Sequence, residues 1–211
     1  MLLGVLIAVS LLGAHMHAPP RANINGLNPR LVTYGATFAL EWVLVAWIWW
    51  GIGRRGGTLR ALIGGRWPDW KSVLRDLGVA VAFMISANLV LLAVAHIMAG
   101  SPSSNIQNLL PRGPLETVAA LMMTLSAGFC EEIVFRGYLQ QQFGRLARSH
   151  TLGVLLQAMV FGAAHGYQGL KMMCIIAIYG VMFGMFATWR HSLRPGIIAH
   201  VLQDSFAMLF A

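Results

Sequence analysis

Charge is scarce in this chain of 211 residues: Asp, Glu, Lys and Arg together make up 10%, and only seven of them are acids. An ordinary soluble domain carries roughly 25% charged residues. Fifteen bases and seven acids cannot solvate a globule of this size, so a soluble or disordered protein is excluded. Cysteine is nearly absent. Cys130 and Cys174 form no CxxC pair and lie inside apolar runs, which supports neither a disulfide framework nor a cysteine-ligated zinc site and makes both of them buried small residues. Polar segments long enough to form a soluble appendage are also missing, so the chain has room for one domain that works in or beside a bilayer. The net charge of +8 does not take the form of a basic stripe interleaved with aromatics, and nucleic acid is not an expected partner.

What fills the sequence is apolar: AVILMFWYC residues make up 57% of it. Apolar stretches fall at about residues 2–14, 31–52, 73–99, 115–135, 152–165, 171–189 and 195–211, with short polar gaps between them. These are seven candidate helices of an all-α, polytopic transmembrane bundle. Several are shorter than the ~20 residues that cross a hydrocarbon core, so their ends extend into the flanks, tilt, or sit inside the bundle. Residues 2–13 resemble a signal h-region. No base precedes them and Ala14-His15-Met16-His17 is a poor cleavage site, so they are read as a helix or the remnant of a longer one.

Lys and Arg in alternate gaps set the expected orientation. One side collects Arg54, Arg55, Arg60, Arg66, Lys71, Arg75, Arg136, Arg145, Arg148, Arg190 and Arg194, against Arg21, Arg30, Arg112 and Lys171 on the other. The first side is then cytoplasmic, the N-terminus inside and the C-terminus outside. Trp47, Trp49, Trp50 and Trp189 have the placing of an aromatic belt on that side. Residues 58–75 mix apolar and basic side chains as a segment along the membrane surface would, and residues 100–114 read as an external loop. Gly180 and Gly184 are spaced for a close helix contact. The expected location is the cytoplasmic membrane of a prokaryote.

The acids carry the functional signal. Asp69 and Asp76 lie in the basic gap, Glu116 at a helix start, and Glu41 amid Trp42 and Val43, where it snorkels or bonds another helix. Glu131 and Glu132 follow a long uncharged run, and an ionisable group there costs ~2.5–3.5 kcal/mol on insertion scales. On an α-helix Glu132 shares a face with Arg136 and pairs with it, while Glu131 points about 100° away and has no such partner. The bland reading is a structural ion-pair cluster at a helix end. The functional one makes Glu132-Arg136 an orienting pair and Glu131 a general base. Histidines favour the second. His165 ends the run Phe161-Gly162-Ala163-Ala164-His165, whose small residues admit a neighbouring helix or a substrate backbone. His200 and Asp204 are four apart and share one face of the last stretch. A level site requires either that the fourth helix continue to about Gln142 or that the fifth break around Gly162 and Gly166. Tyr138, Leu139 and Phe143 favour continuation.

In Glu131-Glu132-Ile133-Val134-Phe135-Arg136 the chain has an EExxxR motif, in Phe161–His165 an FxxxH motif, and in His200–Asp204 an HxxxN/D motif. With these three motifs in this order, residues 115–211 resemble the CPBP intramembrane proteases, a family that includes the Ras-converting CAAX endopeptidases and bacteriocin-processing enzymes. The resemblance implies a four-helix catalytic core over 115–211, preceded by accessory helices and a basic loop over 1–114. It implies an endopeptidase that cuts a membrane-associated peptide or protein at a site opening to the cytoplasm. Glu131 would activate a water that His165 helps to hold, Glu132 and Arg136 would brace the site, and His200 and residue 204 would stabilise the oxyanion. Asp204 departs from the CAAX endopeptidases, which carry Asn there. An ionised carboxylate cannot donate to an oxyanion, so Asp204 is protonated, orients His200 from behind, or ligates a metal.

The same resemblance leaves the cofactor open between none and zinc, with Glu131, His165, His200 and Asp204 as the candidate ligands. A metal-independent glutamate mechanism is favoured, because the histidines lack a compact HExxH spacing and Glu132 has Arg136 as partner. Two rival readings are a non-proteolytic scaffold or bacteriocin-immunity factor, and a proton-coupled transporter. The second is disfavoured by the lack of detectable inverted repeats.

Overall fold

The computed structural model describes residues 27–98 and 110–210. The expected helix at 2–14 and most of the loop at 100–114 lie outside the described residues. Regular structure among the described residues is helical: α1 Pro29–Gly53, α2 Leu59–Ile63, α3 Trp70–Ile97, α4 Pro114–Glu131, a π-helical stretch Glu132–Leu139, α5 Gln140–Ala147, α6 His150–Ala164, a 3₁₀ turn Gly166–Gln168, α7 Leu170–Arg190 and α8 Arg194–Phe210. Starts follow local chemistry. Asn28 accepts from the Arg30 amide with Pro29 in the first turn, Thr58 accepts from Ala61, and Ser149 from Leu152. The Asp69 carboxyl accepts from the Ser72 amide, which holds it below the ordinary carboxylate range.

Four helical runs are long and apolar enough to cross a membrane: α1, α3, the continuous run Pro114–Ala147, and α7. Their outward faces carry large apolar side chains, such as Leu89, Leu92, Val118, Met122, Leu125 and Met185, that a soluble protein would bury. The protein is an integral membrane protein with an all-α fold. The fourth helix does continue past Gln142, to Ala147, and the fifth also ends at Ala164 in a 3₁₀ turn.

The described residues fall into two compact units, one of residues 27–84, 110–134 and 190–210, the other of residues 85–98 and Phe135–Trp189. Each draws on both sides of the expected boundary at 114/115. In the first unit α1 and α4 run parallel. Asn28 Nδ2 donates to Glu116 Oε1 at 2.6 Å, Ser126 Oγ donates to Glu41 Oε2 at 2.9 Å, and Trp42 stacks on Phe129 at 5.9 Å between ring centroids. Against α4, α8 runs antiparallel, with Thr124 bonded to Ser205 at 3.2 Å. The start of α8 is tied to the end of α2: the Leu193 amide donates to Ile63 O at 2.9 Å, and Gly64, at φ 113, turns the chain there. Beneath that junction Asp76, only 1% exposed, accepts from Trp67 Nε1 at 2.9 Å and from Arg190 Nη2 at 3.2 Å, with Arg194 Nε at 3.4 Å.

In the second unit α5, α6 and α7 pack through small residues. A Cβ on Gly153 would sit 2.6 Å from Gln140 O, and one on Gly162 would sit 2.6 Å from Met173 O. The expected close contact at Gly180 and Gly184 is present: Gln157 Nε2 donates to Gly180 O at 2.8 Å and Gln140 Nε2 to Gly184 O at 3.1 Å.

Candidate active site

The first unit gathers four of the six expected site residues around one imidazole. His200, on α8, is buried, with its Nδ1 3.0 Å from Glu132 Oε1. On the other edge of the ring, Nε2 lies 3.6 Å from Glu131 Oε2 and 3.6 Å from Asp204 Oδ2. A carboxylate only accepts, so the Nδ1 bond to Glu132 places a proton on that nitrogen and leaves Nε2 to face the other two acids. The acids differ in access. The Glu132 side chain is 0% exposed, Glu131 21% and Asp204 34%, so Glu132 is built into the packing while the other two reach open space.

Two local features bring the imidazole to the carboxylates. The first is Gly128, one turn before Glu131 and Glu132, where a Cβ would stand 2.7 Å from the backbone N of Val201. With hydrogen there instead, α8 closes onto α4 and His200 comes within reach. The second is the change from α to π geometry at Glu132. Wider turns of this kind are frequent at functional sites. The wider turn begins at Glu132, whose Oε1 is directed to His200. The position behind His200 Nδ1 belongs to Glu132, while Asp204 addresses the Nε2 edge.

Arg136 and His165 belong to the second unit. The Arg136 guanidinium, 2% exposed, lies 4.2 Å from the ring centroid of Phe161 and 5.1 Å from that of Phe183. His165 caps α6, with its Nδ1 2.9 Å from Phe161 O and its ring edge-on to Phe161 at 4.9 Å. A carbonyl cannot donate, so Nδ1 carries the proton and the Nε2 lone pair remains as an acceptor.

Glu41 joins the first unit's cluster, which spacing along the chain does not reveal. Its carboxyl interacts electrostatically with Glu131, Asp204 and His200. Cys130, beside Glu131, is fully buried, and Cys174 is half-buried; both are free thiols. Glu131, His165, His200 and Asp204 are the candidate zinc ligands. Among the described residues, no group of three or more His, Cys, Asp or Glu side chains is arranged to hold a metal ion, so the geometry gives a metalloprotease no support.

Residues 113–206 match the family model of the type II CAAX prenyl endopeptidase Rce1-like proteins, a segment that contains all six expected site residues. No curated protein and no solved structure matches the chain.

Proposed function

From the match of residues 113–206 to the Rce1-like family model, we propose that the protein is an intramembrane endopeptidase that hydrolyses a peptide bond of a membrane-associated protein or peptide, with a water activated by Glu131. The observation that carries this reading is His200 held by Glu132 on one ring nitrogen while the other faces the more open Glu131. Glu131 takes a proton from water as the water oxygen bonds to the scissile carbonyl carbon. The charge developing on the carbonyl oxygen is met by His200, which in this step is doubly protonated, with Nδ1–H given to Glu132 and Nε2–H turned to the oxyanion. The proton on Glu131 then passes to the leaving nitrogen as the C–N bond breaks, and Glu131 is regenerated.

His165 is assigned by its motif to holding the water, for which its Nε2 lone pair is suited, and Arg136 to bracing. The favoured substrates are carboxy-terminal CAAX-type tails and leader peptides already anchored in the membrane. The proposed topology opens the site to the cytoplasm, with the N-terminus inside.

Purified protein in detergent is offered a farnesylated C-terminal peptide, its unprenylated counterpart and a membrane-bound leader peptide, each with and without a chelator. The expected result is cleavage of an anchored peptide that the chelator leaves unchanged and that His165→Ala abolishes. Loss of cleavage on chelation would replace the glutamate route by a metal-dependent one. Binding without cleavage in every arm would favour a non-proteolytic scaffold or immunity factor.

A further inference from the structure

Six bases lie around the connection from α1 to α3: Arg54, Arg55, Arg60, Arg66, Lys71 and Arg75, all of them exposed. Asp69 is the one exposed acid among them, and its Oδ1 accepts from the Ser72 amide at 2.7 Å. Four tryptophans share the stretch. Trp49, Trp50, Trp67 and Trp70 are between 40% and 66% exposed. Bulk water is a poor setting for four open indoles, whereas a membrane interface suits a ring that is apolar in body and polar at one edge. The opposite end of the same unit is built differently: there Arg30 Nη1 lies 3.7 Å from the carboxyl of Glu116, which offsets its charge.

Helix length fixes the depth of the connection. With 25 and 28 residues, α1 and α3 are ~37 and ~42 Å long, against a hydrocarbon core of ~30 Å. Their adjoining ends therefore emerge into the headgroup layer on one membrane surface. The chain between them is held down there. Ile63 O accepts from the Leu193 amide at 2.9 Å and from Ser192 Oγ at 3.2 Å. Trp67 donates from Nε1 to Asp76 at 2.9 Å, and the Arg194 guanidinium lies 5.0 Å from its ring centroid. These contacts keep the bases at headgroup depth instead of letting the segment swing into water. We infer that residues 49–75 form a docking surface for acidic phospholipids. Lipid phosphates pair with the guanidinium and ammonium groups, and the indoles stand at the boundary with the acyl chains. A zwitterionic lipid has no net charge for this face to attract, so the surface selects by headgroup charge.

The test is native mass spectrometry of the full-length protein in detergent, given equimolar phosphatidylglycerol and phosphatidylcholine of the same chain length. Wild type is expected to retain phosphatidylglycerol at least tenfold in preference. Each base near an acidic lipid surface contributes about fivefold in binding, so the triple variant Arg54→Gln, Arg55→Gln, Arg60→Gln is expected to retain the two lipids about equally. Arg112→Gln, which removes an exposed base at the other end of the unit, is expected to keep the wild-type preference. Equal retention by wild type overturns the inference, and so does a triple variant that selects phosphatidylglycerol as wild type does. Stronger binding of a soluble polyglutamate peptide than of phosphatidylglycerol also overturns it, in favour of an acidic protein partner. If the triple variant does not accumulate, Arg66→Gln with Lys71→Gln takes its place under the same criteria. Retention is read without any cleavage, so the outcome is independent of the proposed hydrolysis.

Discussion

Asp204 addresses the same imidazole nitrogen as Glu131, and its side chain is the most open of the three acids around His200. In the proposed reaction an ionised carboxylate there competes with the oxyanion for Nε2–H, whereas an amide would add a donor. Asp204→Asn is therefore expected to retain or raise kcat/KM on a cleavable peptide, and a variant as inactive as Glu131→Gln would contradict the assignment. Gly128 is a second residue-scale determinant. A side chain there meets the backbone of Val201, which no rotamer change can relieve, so α8 must move off α4. Gly128→Val is expected to cost about 1–3 kcal/mol of stability and, by displacing His200 by about an ångström, about 100-fold in kcat/KM. Thermal unfolding and cleavage measured on the same preparation check both. The sequence displays Glu131, Glu132, His200 and Asp204 because acids and histidines are conspicuous in apolar runs. It hides Gly128, one glycine among 23, because only the neighbouring helix reveals which glycine is the contact. Glu41 is visible as an acid on a membrane helix, but spacing along the chain cannot say which helix it addresses.

Helices were legible as elements. The apolar runs mark α1, α3, α4, α6, α7 and α8 to within a few residues at most ends, since the hydropathy that predicts a helix in lipid is also what holds it there. The π-helical stretch Glu132–Leu139 was not legible, because a wider helical geometry leaves the apolar pattern almost unchanged. Asp76 shows a second limit of pattern reading. Its place in a basic gap suggests a solvated acid, yet it is buried beneath Trp67, Arg190 and Arg194 and joins the linker before α3 to the turn that starts α8. Removing it takes a buried acceptor away from the half-buried guanidinium groups of Arg190 and Arg194, so Asp76→Ala is expected to destabilise the protein by about 1–3 kcal/mol. Because α8 carries His200, activity is expected to fall as well. Unchanged thermal unfolding would show that the junction is held by its backbone bonds alone.

At the scale of the molecule, composition excluded a soluble protein, and the order of three motifs picked out residues 115–211, close to the segment 113–206 that the family model matches. The apolar outer faces of α3, α4 and α7 lead to a direct expectation: alkaline carbonate leaves the protein in the membrane pellet and detergent releases it. Release by carbonate would contradict the membrane reading. How the chain divides into compact units was not visible in the sequence. Both α3 and the run Pro114–Ala147 pass from one unit into the other, and an uninterrupted apolar helix carries no mark of such a division.

The proposed hydrolysis depends on Glu131 as the base that activates water. Its decisive test is the single-turnover cleavage rate of one anchored peptide by wild type and by Glu131→Gln, both purified in the same detergent and shown to bind the peptide equally. The substitution removes the base and little else. A loss of about 10²–10⁴-fold in rate at unchanged peptide affinity is expected, and a Glu131→Gln protein that cleaves at the wild-type rate would contradict the claim.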